Sequence, residues 1–172
     1  MPLPAALRRL ALIASLGWAA LAAGGCASRT APPPAGSRDT LTVTVPHLER
    51  LDVRGFNGHV ADINRLLSAR AETFAQKIER GSVWYGEGLS MEPLLAPGSW
   101  IVIRPHPYAD LQPGMVVLYT TANGRPVVHA LIRRTSRGWL AAGVNNRAPD
   151  REFVTPANLA GVIAAVFTPA LP

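Results

Sequence analysis

The sequence predicts a mainly β domain preceded by one amphipathic α-helix. Over residues 59–80, apolar residues recur at three- and four-residue intervals, which is typical of a helix with one buried face. From Val83 onwards, short apolar runs alternate with turn residues, and the Asn123-Gly124 pair is a strong signal for a two-residue β-hairpin. The chain has 172 residues and no internal repeat, so we expect one domain with N-terminal extensions.

Residues 1–26 have the organisation of an export signal. Arg8 and Arg9 give a positive start, Leu10–Ala23 is a short apolar stretch, and small residues precede Cys26. This end of the segment resembles the lipobox of bacterial lipoproteins, in which the cysteine is lipidated and becomes the mature N-terminus. The resemblance implies an exported protein attached to a membrane through a lipid on Cys26, on the periplasmic or extracytoplasmic side. A cleaved soluble signal and an uncleaved anchor are the alternatives.

Residues 27–40 are predicted to be a linker, and residues 41–82 an N-terminal segment of the folded part. The linker contains three consecutive prolines, which favour an extended polyproline II conformation. In the N-terminal segment, Leu41–Val45 alternates apolar residues with threonine, as a short strand does. The predicted helix over 59–80 follows, and the stretch His47–Gly58 between them has no clear pattern.

Residues 83–168 are predicted to form the β domain itself. Apolar runs bounded by proline, glycine and asparagine predict strands. The predicted strands are Ser99–Ile103, Met115–Tyr119, Pro126–Arg134, Trp139–Ala142 and Leu159–Phe167. Gly143–Asp150 is polar and is predicted to be a loop between the last two of them.

The composition narrows the choice of partners. The net charge is +6, and sixteen of the seventeen basic residues are arginines. These arginines are scattered and do not form a stripe interleaved with aromatic residues, so no nucleic acid is expected as a partner. Cys26 is the only cysteine, which excludes an internal disulfide. No histidine, cysteine or carboxylate spacing matches a metal site, and we expect neither a metal nor another cofactor.

Ser90 and His129 are the residues best suited to covalent chemistry. A serine hydroxyl is a weak nucleophile until a neighbouring base takes its proton. A histidine, with an ordinary pKa of about 6.5, suits that role better than a lysine. His129 lies inside an apolar, β-branched run that fixes its orientation, whereas the only lysine, Lys77, lies on the predicted helix. From spacing alone, a purely structural interpretation is favoured, with Ser90 as a turn residue and His129 as a core or edge residue, because serine and histidine are common.

Five segments, in order over residues 83–167, resemble the boxes of signal peptidase I and related S24/S26 serine peptidases. The first, GLSMEPLLAPGSWIVI, resembles the serine box, and YADLQPGMVVLY resembles the strand that follows it. PVVHALIRR resembles the box of the general base, in the endoplasmic-reticulum and archaeal version where histidine replaces lysine. GVNNRAPD and VTPANLAGVIAAVF resemble the acidic loop and the closing strand.

The resemblance implies a coiled antiparallel β-sheet fold and a membrane-anchored serine endopeptidase with a polypeptide substrate. Matched position by position, Ser90 is the nucleophile, His129 is the general base, and Asp150 orients the histidine. The backbone N–H of Ser90 contributes to the oxyanion hole, and Met91 and Pro93 are implied to contact the substrate. The attachment through a lipid points to a specialised peptidase rather than the general signal peptidase.

The chain departs from the family pattern at four positions. Gly88 stands where bacterial members often carry a serine hydroxyl that helps to bind the oxyanion. Ser99, Met115 and Val144 replace family aspartates, and the change at Val144 removes one of two acidic residues near the base. These changes favour a second hypothesis, a catalytically inactive lipoprotein that keeps the fold as a binding module. A self-cleaving repressor is disfavoured, because an export signal and not a DNA-reading helix pair precedes the domain.

Overall fold

The chain folds into a curled β-sheet with one α-helix, in a computed structural model that describes residues 42–54 and 60–170. Within these residues the sheet has seven strands. They are β1 (Leu48–Asp52), β2 (Ser82–Gly86), β3 (Ser99–Arg104), β4 (Val116–Thr120), β5 (Pro126–Thr135), β6 (Gly138–Ala142) and β7 (Leu159–Ala170). The helix α1 (Val60–Ala75) lies between β1 and β2 in the chain, and a short 3₁₀ helix covers Tyr108–Asp110.

Strand β7 is the centre of the sheet. It pairs antiparallel with β3 on one side and with β4 on the other, and its last residues pair in parallel with β1. Strands β5 and β6 extend the sheet from β4, while β2 extends it from β3, which gives the order β2-β3-β7-β4-β5-β6. The prediction of a mainly β fold with antiparallel pairing and one helix is therefore confirmed, with β1–β7 as a parallel exception.

The core consists of three apolar clusters around this sheet. Helix α1 buries Leu67 and Ala71 against the β3–β7 face, together with Phe167. A second cluster contains residues of β3, β4 and β7 and receives Met91 from the β2–β3 connection. The third packs β4, β5 and β6 around Trp139 and the connection that follows β6. The segments that carry the candidate site residues are thus fixed to the second and third clusters.

The strands predicted in the β domain are confirmed with small changes at their ends. The predicted runs correspond to β3, β4, β5, β6 and β7, and β7 continues three residues past the predicted Phe167. The Asn123-Gly124 turn joins β4 to β5: Gly124 has φ +80°, and its N–H donates to the Thr121 carbonyl over 2.8 Å. A positive φ is easily reached by glycine, which explains this residue at the turn.

The strand predicted over Leu41–Val45 is wrong for the described residues of that stretch. Only Thr44 forms a bridge, parallel to Met115, with its N–H donating to the Gly114 carbonyl over 3.0 Å. Strand β4 already pairs with β5 and β7, so no free edge is left for a longer ladder. A strand forms instead within His47–Gly58, the stretch that has no clear sequence pattern. This strand, β1, pairs with the C-terminal part of β7.

The helix is confirmed but ends earlier than predicted. It was expected over 59–80, and the structure ends it at Ala75, followed by tight turns up to Gly81. Lys77 and Ile78 donate to carbonyls only three residues back, and Arg80 has φ +53°, which no α-helix continues. Ile78 still packs against the helix cluster, and this contact extends the apolar periodicity beyond the helix.

The signal segment 1–26 with Cys26, the linker 27–40 and Leu41 lie outside the described residues. Within residues 42–54 and 60–170, no helix combines the length and apolar character needed to span a membrane.

Candidate active site

Ser90 lies in the connection between β2 and β3, just before a turn that is anchored in the core. Met91 is 3 % exposed and packs in the same cluster as Leu95. The Met91 carbonyl accepts hydrogen bonds from the N–H groups of Leu94 and Leu95 over 2.9 and 3.0 Å. The turn therefore holds the Ser90 backbone rigidly while its side chain reaches a surface cleft.

The loop after β6 holds Ser90 from the other side. The Asn145 N–H donates to the Ser90 carbonyl over 2.8 Å, and its side-chain amide donates to the Leu89 carbonyl over 3.1 Å. Gly143 lies directly against Ser90: a Cβ at Gly143 would be 2.8 Å from the Ser90 Cβ and would overlap the Ser90 carbonyl oxygen. The absence of a side chain at Gly143 is what permits this approach.

His129 is positioned by the central part of β5. It pairs with Val117 across the β4–β5 ladder and is 7 % exposed. Its Nε2 lies 3.0 Å from the Ser90 Oγ, a normal hydrogen-bond distance. The strand predicted to fix this histidine therefore does so, and it brings the imidazole to the serine across 39 residues of sequence.

Asp150 completes a hydrogen-bonded chain. Its Oδ2 lies 2.7 Å from His129 Nδ1, and its backbone N–H donates to the Ala141 carbonyl over 2.9 Å. A carboxylate accepts only, so Nδ1 carries a proton, and Nε2 of the neutral ring is left to accept from the Ser90 hydroxyl. The three residues expected to act together are thus in contact, and the tautomer is the one that a general base requires.

Tyr119 is a fourth member of this series of hydrogen bonds, and its role was not expected from the sequence. Its hydroxyl donates to Asp150 Oδ2 over 2.8 Å, the same oxygen that faces His129. The residue is 1 % exposed, and this burial, aided by the hydrogen bond to the Asp150 carboxylate, raises the pKa of the Tyr119 phenol. The one available signal was a hydroxyl-bearing aromatic residue at the end of an otherwise aliphatic strand.

Ser90 and His129 open onto a cleft of about 760 Å³. Its floor includes Met91 together with apolar side chains of β3, β4 and β5. One wall is formed by β2 with Trp84 and Tyr85, both of which are partly exposed to solvent. The charged residues that line the cleft are Glu87, Arg125 and Glu152. The cleft therefore combines an apolar floor with a few polar and charged side chains, as ligand-binding clefts commonly do.

The structure separates the two residues that were expected to contact substrate. Met91 lines the cleft from below as a core residue. Pro93 does not line it: the residue is exposed, and its carbonyl accepts a hydrogen bond from Arg50 over 3.1 Å. The turn that buries Met91 carries the chain away from the cleft before Pro93, so Met91 is part of the cleft lining and Pro93 is not.

The backbone N–H of Ser90 is the donor that the family resemblance implies for an oxyanion hole. In the described part of the chain, the N–H of Ser90 makes no hydrogen bond, so it is left without a protein acceptor. Gly88 supplies no side-chain donor; a Cβ placed there would be 3.8 Å from Ser90 Oγ, so the space beside the hydroxyl is open.

The three residues that replace aspartates of the S24/S26 pattern, Ser99, Met115 and Val144, lie in different surroundings. Ser99 is buried; its hydroxyl donates to the Ala96 carbonyl over 2.5 Å and accepts from the Thr168 hydroxyl over 2.8 Å. Met115 packs against the cluster of Trp139. Val144 is exposed in the loop that holds Ser90.

Among residues 42–54 and 60–170, no group of three or more histidine, cysteine or acidic side chains is placed to hold a metal ion.

Comparison with known proteins assigns no family to this site. No protein-family model matches the chain, and no curated protein matches it either.

Proposed function

We propose that this protein is a serine endopeptidase of the S24/S26 type, with Ser90 as nucleophile, His129 as general base and Asp150 as the residue that orients the histidine. The observation that carries the proposal is the unbroken Ser90–His129–Asp150 hydrogen-bonded chain at the edge of a peptide-sized cleft. Its members come from three separate segments, so their convergence is not a by-product of local sequence.

The reaction follows from this geometry. His129 Nε2 takes the proton of the Ser90 hydroxyl as Oγ bonds to the carbonyl carbon of a peptide bond. The oxyanion that forms faces the Ser90 N–H, and the Asp150 carboxylate stabilises the imidazolium. When the carbon–nitrogen bond breaks, His129 returns the proton to the leaving amine and an acyl-enzyme remains. Water, deprotonated by His129, then attacks the ester and releases both the acid and Ser90.

The edge of the sheet indicates how a polypeptide would bind. In the described sheet, β2 pairs only with β3, so its other edge is unpaired along the cleft wall. An extended peptide can add to such an edge through main-chain hydrogen bonds while its side chains enter pockets below. The scissile bond then lies over Ser90, because the chain runs directly from β2 through Gly88 to the serine.

Gly88 favours a second candidate, a binding module that holds peptides without cleaving them. Loss of one oxyanion donor costs on the order of 10²–10³-fold in rate. With the Ser90 N–H as the donor identified among the described residues, slow turnover or none is the outcome this alternative predicts.

For the location of the protein, we propose export and attachment to a membrane through a lipid on Cys26. The pattern of residues 1–26 supports this proposal, with a positive start, an apolar stretch and a single cysteine after small residues. A peptidase held in this way would act on exported polypeptides that reach the same membrane face.

The experiment that separates peptidase from binding module uses the full chain in detergent and a peptide library with small residues before the cleavage point. We expect cleavage by the wild type, none by Ser90→Ala, and wild-type rates for Ser136→Ala, which removes an exposed hydroxyl from the β5–β6 turn. Peptide binding by a well-folded wild type without cleavage would select the binding module. Equal cleavage by Ser90→Ala would reject Ser90 as nucleophile.

A further inference from the structure

We propose that Tyr119 is a positioning residue, whose hydroxyl holds one oxygen of Asp150 against His129. This inference rests on the proposed function and extends it by one residue. Tyr119 donates to Asp150 Oδ2 over 2.8 Å, and the same oxygen faces His129 Nδ1 at 2.7 Å. Both hydrogen bonds therefore converge on a single carboxylate oxygen.

The need for such a residue comes from where Asp150 lies. It belongs to the loop after β6 and not to a strand, and the outer torsion of an aspartate side chain is broad and poorly fixed. In the described residues, its carboxylate contacts no hydrogen-bond donor other than Tyr119 and His129. Without Tyr119, only the His129 imidazole would fix the orientation of the Asp150 carboxylate. Asp150 could then not fix the orientation of His129 independently.

Tyr119 is suited to this task by its surroundings. It lies on β4, which is paired on both sides by β5 and β7, and its ring packs in the cluster that contains Trp139. Because burial raises the pKa of its phenol, the hydroxyl keeps its proton throughout the pH range in which a histidine works. It is a permanent donor on a rigid strand beneath a carboxylate on a loop.

The hydroxyl also sets the strength of the carboxylate as a base. A donated hydrogen bond stabilises the negative charge on Asp150 and weakens its hold on the imidazolium proton. Without that bond, the imidazolium is held more tightly, and a higher pH is needed to free His129 as a base. The acid limb of the kcat/KM profile should therefore move to higher pH when the hydroxyl is removed.

The other charged groups near His129 are the same in the wild type and in a Tyr119→Phe variant. They are Asp150 and Glu152 in the loop after β6, Glu87 after β2, and Arg125 in the β4–β5 hairpin. Because a Tyr119→Phe variant keeps all of them, a shift of the acid limb reports the hydroxyl alone.

The test compares Tyr119→Phe with Tyr108→Phe in the full-length protein. The Tyr108 hydroxyl donates a hydrogen bond to the Val154 carbonyl over 3.0 Å. It makes no hydrogen bond with Ser90, His129 or Asp150, so Tyr108→Phe is a matched control. For Tyr119→Phe we expect kcat to fall about tenfold at neutral pH with KM nearly unchanged, as for one lost hydrogen bond to a charged group. The acid limb moves up only in this variant, and the Nδ1 proton of His129 exchanges faster with water in NMR spectra.

Two outcomes overturn the inference. One is a folded Tyr119→Phe with wild-type kcat, acid limb and Nδ1 proton exchange, and the other is an equal loss in Tyr108→Phe. If Tyr119→Phe does not fold, fluorotyrosine is incorporated as the only tyrosine, in a Tyr85→Phe, Tyr108→Phe background. Fluorotyrosine is a stronger hydrogen-bond donor than tyrosine, so it should move the acid limb of the kcat/KM profile to lower pH than tyrosine does in the same background. An acid limb at the same pH counts against the proposal.

The failure of the proposed function is visible separately. If the wild type cleaves no peptide, the peptidase assignment fails. The Nδ1 proton of His129 can still be followed in the wild type, in Tyr119→Phe and in Tyr108→Phe. Faster exchange only in Tyr119→Phe would then support the positioning role, and equal exchange in all three would reject it.

Discussion

Gly143→Ala is a sharp test of how the loop after β6 holds Ser90, the proposed nucleophile. The new methyl group would lie 2.8 Å from the Ser90 Cβ, 2.9 Å from the Asn146 amide nitrogen, and in overlap with the Ser90 carbonyl oxygen. The two nearest atoms belong to the backbone and Cβ of Ser90 and cannot swing aside as the end of a long side chain can. The overlap must therefore be relieved by moving Ser90 or the loop itself.

The size of the movement follows from the contact distance. Ordinary contact begins at 3.4 Å, so the new Cβ and the Ser90 Cβ must separate by about 0.6 Å, and the new Cβ and the Ser90 carbonyl oxygen by more. A similar change in the 3.0 Å distance between Ser90 Oγ and His129 Nε2 would leave a poor hydrogen bond. A misplacement of about 1 Å costs on the order of 10²-fold in rate, so we expect kcat/KM to fall roughly 10- to 100-fold.

The assay measures kcat/KM on a cleaved peptide together with the free energy of unfolding in denaturant. Overpacking of this kind costs about 1–3 kcal/mol of stability, which most domains survive. Gly161→Ala, on β7, is the matched control, because its new Cβ would meet a similar overlap. It would overlap the Arg104 carbonyl oxygen and lie 2.8 Å from Ile103 Cγ2. It should lose similar stability while the folded fraction keeps its kcat/KM. Wild-type kcat/KM in Gly143→Ala would refute the idea that this contact positions Ser90.

Two further predictions concern the membrane and alkaline pH. Cys26→Ser should move the full-length protein from the membrane fraction to the soluble fraction after lysis, and its retention in membranes would indicate an uncleaved anchor. Because folding raises the pKa of Tyr119 above its ordinary value of 10.0, its contribution to stability is fully present below about pH 10 and is lost as pH rises towards the folded value. Denaturant titrations from pH 8 to 11 should show the wild type losing up to ~1.4 kcal/mol per pH unit more than Tyr119→Phe above pH 10. Parallel curves for the two proteins would contradict this.

Most of the β domain could be predicted from sequence, because its strands are apolar runs between strong turn signals. Strand β7 is buried along most of its length, and the β4–β5 hairpin is joined by Asn123-Gly124. Strand β1 could not be predicted, because its sequence LERLD lacks such a pattern. It pairs with β7, and Glu49 forms an ion pair with Arg70 of the helix, a contact that only the tertiary fold creates.

The candidate site was predictable as far as motif resemblance reached. Ser90, His129 and Asp150 were expected to meet, and the structure brings them into one hydrogen-bonded chain. Tyr119 lies outside the residues that the resemblance marked as functional, and only the fold shows its hydroxyl beneath Asp150. Pro93 lies outside the cleft lining, because adjacency to Ser90 in sequence does not place a residue in the cleft.

Whether Ser90 is an activated nucleophile can be tested by the reaction of the full-length protein with an alkyl fluorophosphonate, followed by intact-mass analysis and peptide mapping. An activated serine displaces fluoride and forms a stable oxygen–phosphorus bond, with no need to know the natural substrate. We expect one adduct, on Ser90, in the wild type and in Ser136→Ala, and none in Ser90→Ala. A folded wild type that forms no adduct, or an adduct that persists in Ser90→Ala, would contradict this expectation.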